Sequence, residues 1–189
     1  MTDSTEDTRL VGECLKGDSE SFAVLVRKYQ DRLHNVVFRV VGNAEDARDL
    51  VQDVFVQAYR SLARFHGDSA FFTWLYRIAM NAAISHKRRA RVIASYDSAR
   101  ETTGFDPAED TSQTDPSAPL EQDDRVRQVR AALDSMPPDY RAVLVLKEID
   151  GQKYEAIAQI LNCPIGTVRS RLHRARAELR ERLKQALEE

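Results

Sequence analysis

Residues 153–177 read Lys-Tyr-Glu-Ala-Ile-Ala-Gln-Ile-Leu-Asn-Cys-Pro-Ile-Gly-Thr-Val-Arg-Ser-Arg-Leu-His-Arg-Ala-Arg-Ala. A helix-turn-helix needs a first helix that crosses the DNA backbone, a tight turn, and a second helix with an apolar inner stripe and a polar outer one. The first helix, over Lys153 to Leu161, turns Tyr154, Ile157, Ala158 and Leu161 inward at helical spacing. Asn162 tolerates the left-handed backbone of a tight turn, and Pro164 blocks continuation of the first helix. Thr167 or a nearby polar group can cap the second helix, expected from about Gly166 to Leu187. There Val168, Leu172, Ala175, Leu179 and Leu183 recur at spacings of three and four, which makes the inner stripe. Arg169, Ser170, His173 and Arg174 share a face rotated away from it. Arginine bonds guanine bidentately, and serine or histidine donates or accepts, so this face carries the chemistry of direct base readout. Arg171 and Arg176 at the flanks suit phosphates, as do Arg180, Arg182 and Lys184 if they reach the duplex. The rival account of the same residues is an amphipathic helix whose arginines only solvate it.

The rest of the composition agrees with helices. Charged residues make up 31% of the 189 and aromatics 7%, with few glycines and prolines, so the expected class is all-α. The net charge is only −2. A DNA-binding surface must therefore be local. Cys14 and Cys163 have no second ligand at metal-binding spacing, so no metal or cofactor is expected, and two isolated cysteines suit a reduced compartment. The N-terminus is acidic and lacks the apolar stretch of a signal peptide, and no apolar run approaches the ~20 residues a bilayer requires. A cytoplasmic chain with no membrane insertion is expected.

The chain divides at an acidic stretch. From Glu101 to Asp124 there are eight acidic residues, no Lys or Arg, and the prolines Pro107, Pro116 and Pro119. Such a segment is a solvated linker. The expected organisation is two small helical domains, 1–95 and 125–189, joined by an acidic flexible linker over 96–124. In the first domain a short helix lies around Leu10 to Leu15. A long one follows, with Phe22, Leu25, Val26, Tyr29, Leu33, Val36, Val37 and Val40 on one face, started by Asp18 or Ser19 and ended by Gly42. Asn43 opens the next helix with Asp46 three residues on, close to a capping box. Its inner face reads Ala47, Leu50, Val51, Val54, Phe55, Ala58, Tyr59, Leu62. After a turn at His66 to Ser69, a fourth helix runs from Phe71 to about Arg89, with Leu75, Ile78, Ala79 and Ala82 inward. In the second domain Val126, Val129, Ala132, Leu133 and Met136 form a helix halted at Pro137-Pro138. Another carries Tyr140, Val143, Leu144 and Lys147 to Asp150-Gly151. No P-loop or dinucleotide-binding glycine pattern is present.

Two further surfaces stand out in the first domain. Glu45, Asp46, Asp49, Gln52 and Asp53 form an acidic helical face, which taken alone reads as solvated surface. The segment Phe65 to Asn81 packs Thr73, Trp74, Tyr76 and Arg77 among other aromatics and runs into His86, Lys87, Arg88, Arg89 and Arg91. Rings stack on bases and cations follow phosphates, which is the chemistry that single-stranded nucleic acid requires. Part of the cluster must be core, with Trp74 its foremost candidate.

Asp49-Leu-Val-Gln-Asp-Val-Phe55, Thr73-Trp-Leu-Tyr-Arg-Ile78 and Cys163-Pro-Ile-Gly-Thr-Val-Arg-Ser-Arg-Leu172 resemble the signature segments of the extracytoplasmic-function sigma factors of the sigma-70 superfamily, close to the sigma-E-like group. The resemblance covers nearly the whole chain outside the acidic tail and linker. It implies a stress-response promoter-specificity subunit with no catalytic residues and no cofactor. In the family the first domain binds the clamp helices of the beta-prime subunit of core RNA polymerase and melts the minus-ten element. The second reads the minus-thirty-five element and contacts the beta flap. Asp49, Gln52 and Asp53 match the clamp-binding segment, and Thr73, Trp74, Tyr76 and Arg77 the melting segment, which the basic Lys87 and Arg88 follow. Asn81 to Ser85 match the loop that captures a flipped base. Arg169, Ser170, His173 and Arg174 match the minus-thirty-five readers.

The family pattern often has Ser or Thr before the tyrosine where this chain has Gln152-Lys153, so the first helix of the motif loses its usual cap. Ala82-Ala83-Ile84 and His173 stand where members vary. The resemblance also implies control by an anti-sigma factor, and the acidic linker, which in the family threads toward the polymerase active-site path, is suited to mimic nucleic acid there. Two other readings of the residues remain: a stand-alone helix-turn-helix regulator with a helical dimerisation domain, and a polymerase adaptor that does not read DNA. The basic aromatic helix opposes the first and the Arg169 to Arg174 face the second.

Overall fold

The computed structural model describes the backbone of residues 2–100 and 120–188 and the side chains of residues 5–93 and 126–185. Among them there are helices and turns and no strand.

The first half is built of α1 (Thr2–Leu15), α2 (Ser19–Val41), α3 (Ala44–Ser61) and α4 (Phe71–Arg100), with a short 3-10 turn at Leu62–Arg64. The Asp18 carboxylate starts α2 by accepting from the Glu20 N–H at 3.0 Å. Leu25, Leu33, Val37 and Val40 are fully buried along its inner face, each worth about 1.5 to 3 kcal/mol of burial. Helix α1 is longer than its apolar residues foretell. It is tied to α2 through the buried Asp7, which accepts from the Tyr29 hydroxyl at 2.5 Å and the Lys28 ammonium at 2.7 Å.

Gly42 ends α2 at φ +88°, a left-handed position, with its N–H bonded to the Phe38 carbonyl at 2.7 Å. Asn43 caps α3, its side chain accepting from the N–H groups of Glu45 and Asp46 at 2.8 and 3.1 Å. Asp46 does not complete a capping box; its carboxylate lies 3.2 Å from His86 Nε2 on α4. Tyr59, expected inside, is half exposed, because it sits at the edge of the α3 stripe, where its ring meets Phe22 edge-on at 5.1 Å.

The second half comprises α5 (Leu120–Asp134), α6 (Pro138–Leu144), α7 (Tyr154–Ile160) and α8 (Ile165–Glu188). Helices α4 and α5 thus reach into the expected linker from both sides, and its remainder, 101–119, lies outside the described residues. Pro138 occupies the first turn of α6, where its missing N–H is harmless. Beyond Leu144 the helix loosens into a π-turn, Val145–Ile149, closed by the Asp150 N–H on the Val145 carbonyl at 2.9 Å.

Asn162 turns between α7 and α8 at φ +47°, as its tolerance of that conformation foretells. Thr167 is not the cap of α8. The helix starts earlier, and the Pro164 carbonyl takes the N–H groups of Thr167 and Val168 at 2.9 and 3.2 Å. Ile157, Ile160, Val168, Leu172 and Ala175 are buried between the two helices, whereas Tyr154, Ala158 and Leu161 are half buried.

The two halves pack against each other. Helix α4 lies on α6 and α7, α2 on the π-turn, and one continuous apolar cluster runs from Leu10 to Ala175. Arg141 of α6 is the buried polar link. Its Nε donates to the Arg39 carbonyl at 2.6 Å and its Nη1 pairs with Asp134. Arg39 is in the last turn of α2, where carbonyls lack helical partners and a cation is favoured. A Cβ on Gly42 would collide with the Asp134 carboxylate, so that glycine serves both the turn and the approach of the second half.

Candidate nucleic-acid interface

Helix α8 is amphipathic because its apolar residues recur on one side, and burying Val168 and Leu172 fixes which side faces out. Arg169, Ser170, His173 and Arg174 are all exposed on that outer side. The Ser170 hydroxyl donates to the Thr167 carbonyl at 3.0 Å, leaving the oxygen's lone pairs to accept. The flanking arginines are engaged. Arg176 donates from Nε and Nη2 to a Glu148 oxygen at 3.0 and 2.6 Å, and that carboxylate holds the guanidinium even more firmly protonated than usual. Arg171 pairs with Asp139 at 3.5 Å. The Lys153 side chain forms no cap on α7.

On α3, the acidic residues Asp49 and Asp53 are exposed together with Gln52. Beside them α2 and α3 leave a shallow groove floored by Val26, Val51 and Phe55 and rimmed by Gln30, His34 and Arg48. Val56 and Tyr59 extend it as exposed apolar surface. The sequence patterning did not foretell this groove, since it placed Val26, Val51, Phe55 and Tyr59 on inner stripes.

On α4 the predicted residues separate by depth. Thr73, Trp74 and Tyr76 are buried, Arg77 and Lys87 half buried, and Asn81, Ser85 and Arg88 exposed. Trp74 packs against Phe65 and Phe71 with ring centroids 5.4 and 5.7 Å away. Tyr76 is sealed, its ring 4.0 Å from that of Phe72, and Arg32 lies over the Phe72 face at 4.4 Å. The Tyr76 hydroxyl has no partner at good hydrogen-bond geometry, although the Arg32 guanidinium lies close enough to favour its ionised form. Burial, and then the Asp150 carboxylate, push that phenol well above the usual tyrosine value.

The accessible part of the α4 face looks into a cleft whose opposite wall is the helix-turn-helix. Thr73 and Arg77 share one cavity of about 540 Å³ with Gln159, Asn162 and Pro164. Asn81, Ser85 and Arg88 share another, of about 220 Å³, with Asp139, Cys163 and Arg171. Ion pairs cross between the halves: Arg88 to Asp139 at 2.7 Å, Lys87 to Asp134 at 3.4 Å, and Arg32 to Asp150 at 3.0 Å. These acidic partners had no signature in the sequence.

Residues 25–92 match the Sigma-70 region 2 family and residues 126–179 the Sigma-70, region 4 family. The chain is 38% identical to the RNA polymerase sigma-H factor of Pseudomonas aeruginosa, with both chains covered completely. It is 40% identical to the ECF RNA polymerase sigma-E factor of Escherichia coli K12, over 93% of each. Among solved structures the fold is similar to that of CnrH in complex with the cytosolic domain of CnrY, with a TM-score of 0.66 at 24% identity over 95% of this chain and 98% of that one. It is also similar to the sigma factor RpoE in complex with the anti-sigma factor NepR from Bartonella quintana, with a TM-score of 0.63 at 24% identity over 87% of this chain and 98% of that one. With both regions present in order, and relatives aligned along almost the whole length, the chain belongs to the sigma-70 family, among its extracytoplasmic-function RNA polymerase sigma factors.

Proposed function

We propose that this promoter-specificity subunit uses three separate surfaces of its own. As a sigma factor it is no enzyme; it binds core RNA polymerase and recognises promoter DNA. The exposed Asp49, Gln52 and Asp53 of α3, with the apolar groove beside them, take the beta-prime clamp helices, and the beta flap contacts the second domain. Acidic residues around an apolar floor suit a protein partner and repel DNA. Arg77, Asn81, Ser85, Lys87 and Arg88 of α4 hold the opened minus-ten strand. Thr73, Trp74 and Tyr76 shape that face from beneath, and their burial argues for support of the melting surface.

Arg169, Ser170, His173 and Arg174 read base edges in the minus-thirty-five element, and Arg171 and Arg176 meet phosphates. The observation that carries this reading is the orientation of α8: its buried stripe leaves the four candidate readers together in solvent. Residues 1–95 form the first functional domain, 96–124 the linker and 125–189 the second. An anti-sigma factor is a further partner, since the solved RpoE structure is of a complex with one.

Run-off transcription from a set of promoters by purified core polymerase, with and without the chain, tests the whole. Promoter-selective transcripts that depend on the chain are expected. A chain that binds duplex promoter DNA tightly alone and leaves transcription unchanged is a stand-alone regulator, and the proposal fails.

A further inference from the structure

Asp7 is a carboxylate that an apolar helix face does not need. Leu10, Val11 and Cys14 already bury α1 in the first domain, yet Asp7 is only 3% exposed. Its two oxygens divide their partners: Oδ2 accepts from the Tyr29 hydroxyl at 2.5 Å and Oδ1 from Lys28 Nζ at 2.7 Å. Taking a charge out of water is costly even when it is paired, and such groups serve better to fix one arrangement than to add stability. The arrangement fixed here is that of Tyr29. Its ring meets those of Phe71 and Phe72 with centroids 5.9 and 5.8 Å away, and these are the first two residues of α4.

The start of α4 depends on such packing. The helix begins after Ala70, whose carbonyl takes the Trp74 N–H at 3.2 Å, and alanine offers no side-chain oxygen to the first unpaired N–H groups. Rings from outside the helix hold its first turn: Tyr29 on both phenylalanines, and Phe65 on Phe71 at 5.8 Å. Phe71 and Phe72 in turn meet Trp74 and Tyr76 at 5.7 and 4.0 Å. We propose that Asp7 is a positioning residue for promoter opening. By holding the Tyr29 hydroxyl it fixes the ring against which α4 starts, and so the angle at which α4 presents Arg77, Asn81, Ser85 and Arg88 to the opened minus-ten strand, the assignment on which this inference rests. Arg77 follows Phe72 by little more than one turn, so an error in the first turn is carried along the helix to all four. Helix α1, which precedes the region 2 match, thus acts on the strand without touching it.

Holoenzymes assembled from core polymerase and full-length wild type, Tyr29→Phe, Asp7→Ala, Asp7→Asn or the Asp7→Ala, Tyr29→Phe double variant are compared at saturating chain, well below the melting temperature. Tyr29→Phe keeps the ring and removes only the hydroxyl, so it tests the contact even if Asp7→Ala folds poorly. Strand opening is followed by permanganate reactivity on a duplex promoter that the wild type transcribes, beside affinity for core polymerase. Opening is expected to slow by about three- to ten-fold in either single variant and no further in the double variant, with core affinity unchanged. Asp7→Asn still offers the hydroxyl an acceptor and should recover most of the rate. Opening at the wild-type rate in Tyr29→Phe overturns the positioning role, as does additive slowing in the double variant. Slowing that Asp7→Asn does not relieve overturns the hydrogen bond as its cause. Core affinity that falls in step with opening makes Asp7 merely structural, which also overturns the proposal. The Arg77→Ala, Asn81→Ala variant checks the assignment beneath it. If that variant opens DNA normally, the α4 face is misassigned and the role of Asp7 falls with it; if it is slow while Tyr29→Phe is not, the role of Asp7 alone fails.

Discussion

Replacing Tyr76 by Phe should stabilise the chain, and the gain should grow in alkali. The ring is fully buried and its packing on Phe72 survives the change, while the deleted hydroxyl has no partner at good hydrogen-bond geometry. Leaving a buried polar group unsatisfied costs about 1 to 3 kcal/mol, so Tyr76→Phe should gain about 1 kcal/mol at pH 8. In a chain of this size that raises Tm by about 2 to 4 °C. The pH dependence follows from the phenol's raised pKa. The unfolded tyrosine ionises near pH 10 while the folded one stays protonated, so the wild-type fold keeps its stability below about pH 10 and loses it as pH rises further. One unit above that value the wild type should have lost about a further 1.4 kcal/mol through this group, a loss that the Phe variant escapes. Urea titrations at pH 8 and pH 11 measure the gap, and the chain's single tryptophan, Trp74, reports from two residues away. A constant difference between variant and wild type refutes the argument from burial. A lower Tm for the variant at pH 8 shows that the hydroxyl has a partner.

Arg174→Ala should relax base discrimination in the upstream promoter element by about 1 to 3 kcal/mol, read by competition binding against single-base variants of that element; an unchanged base profile removes Arg174 from the readers. Asp53→Lys should weaken binding to core polymerase by about ten-fold, measured by pull-down or anisotropy, while the second domain's contacts with DNA persist. Equal retention on polymerase refutes the acidic docking face. Gly42→Ala should lower Tm, because the left-handed backbone alone costs about 1 to 2 kcal/mol and the new methyl meets the Asp134 carboxylate. An unaltered melt would mean that α2 ends differently in solution.

What the sequence discloses about this fold is what has a local cause. The ends of α2 and the start of α3 are readable because Asp18, Gly42 and Asn43 act on their own backbone or that of immediate neighbours. Asn162 is readable for the same reason, and the outer face of α8 follows from the period of Val168, Leu172 and Ala175. Thr167 misleads because a cap depends on where the helix begins, and Pro164 begins it sooner. The depth of Tyr76 is not readable because aromatics and cations along one helix satisfy both a core and a stacking surface, and only the neighbouring helices decide the depth of each. The cleft has no local cause at all. Arg88 and Asp139 are 51 residues apart, and Arg32 and Asp150 are 118 apart, and no pattern of charge along a chain names such partners.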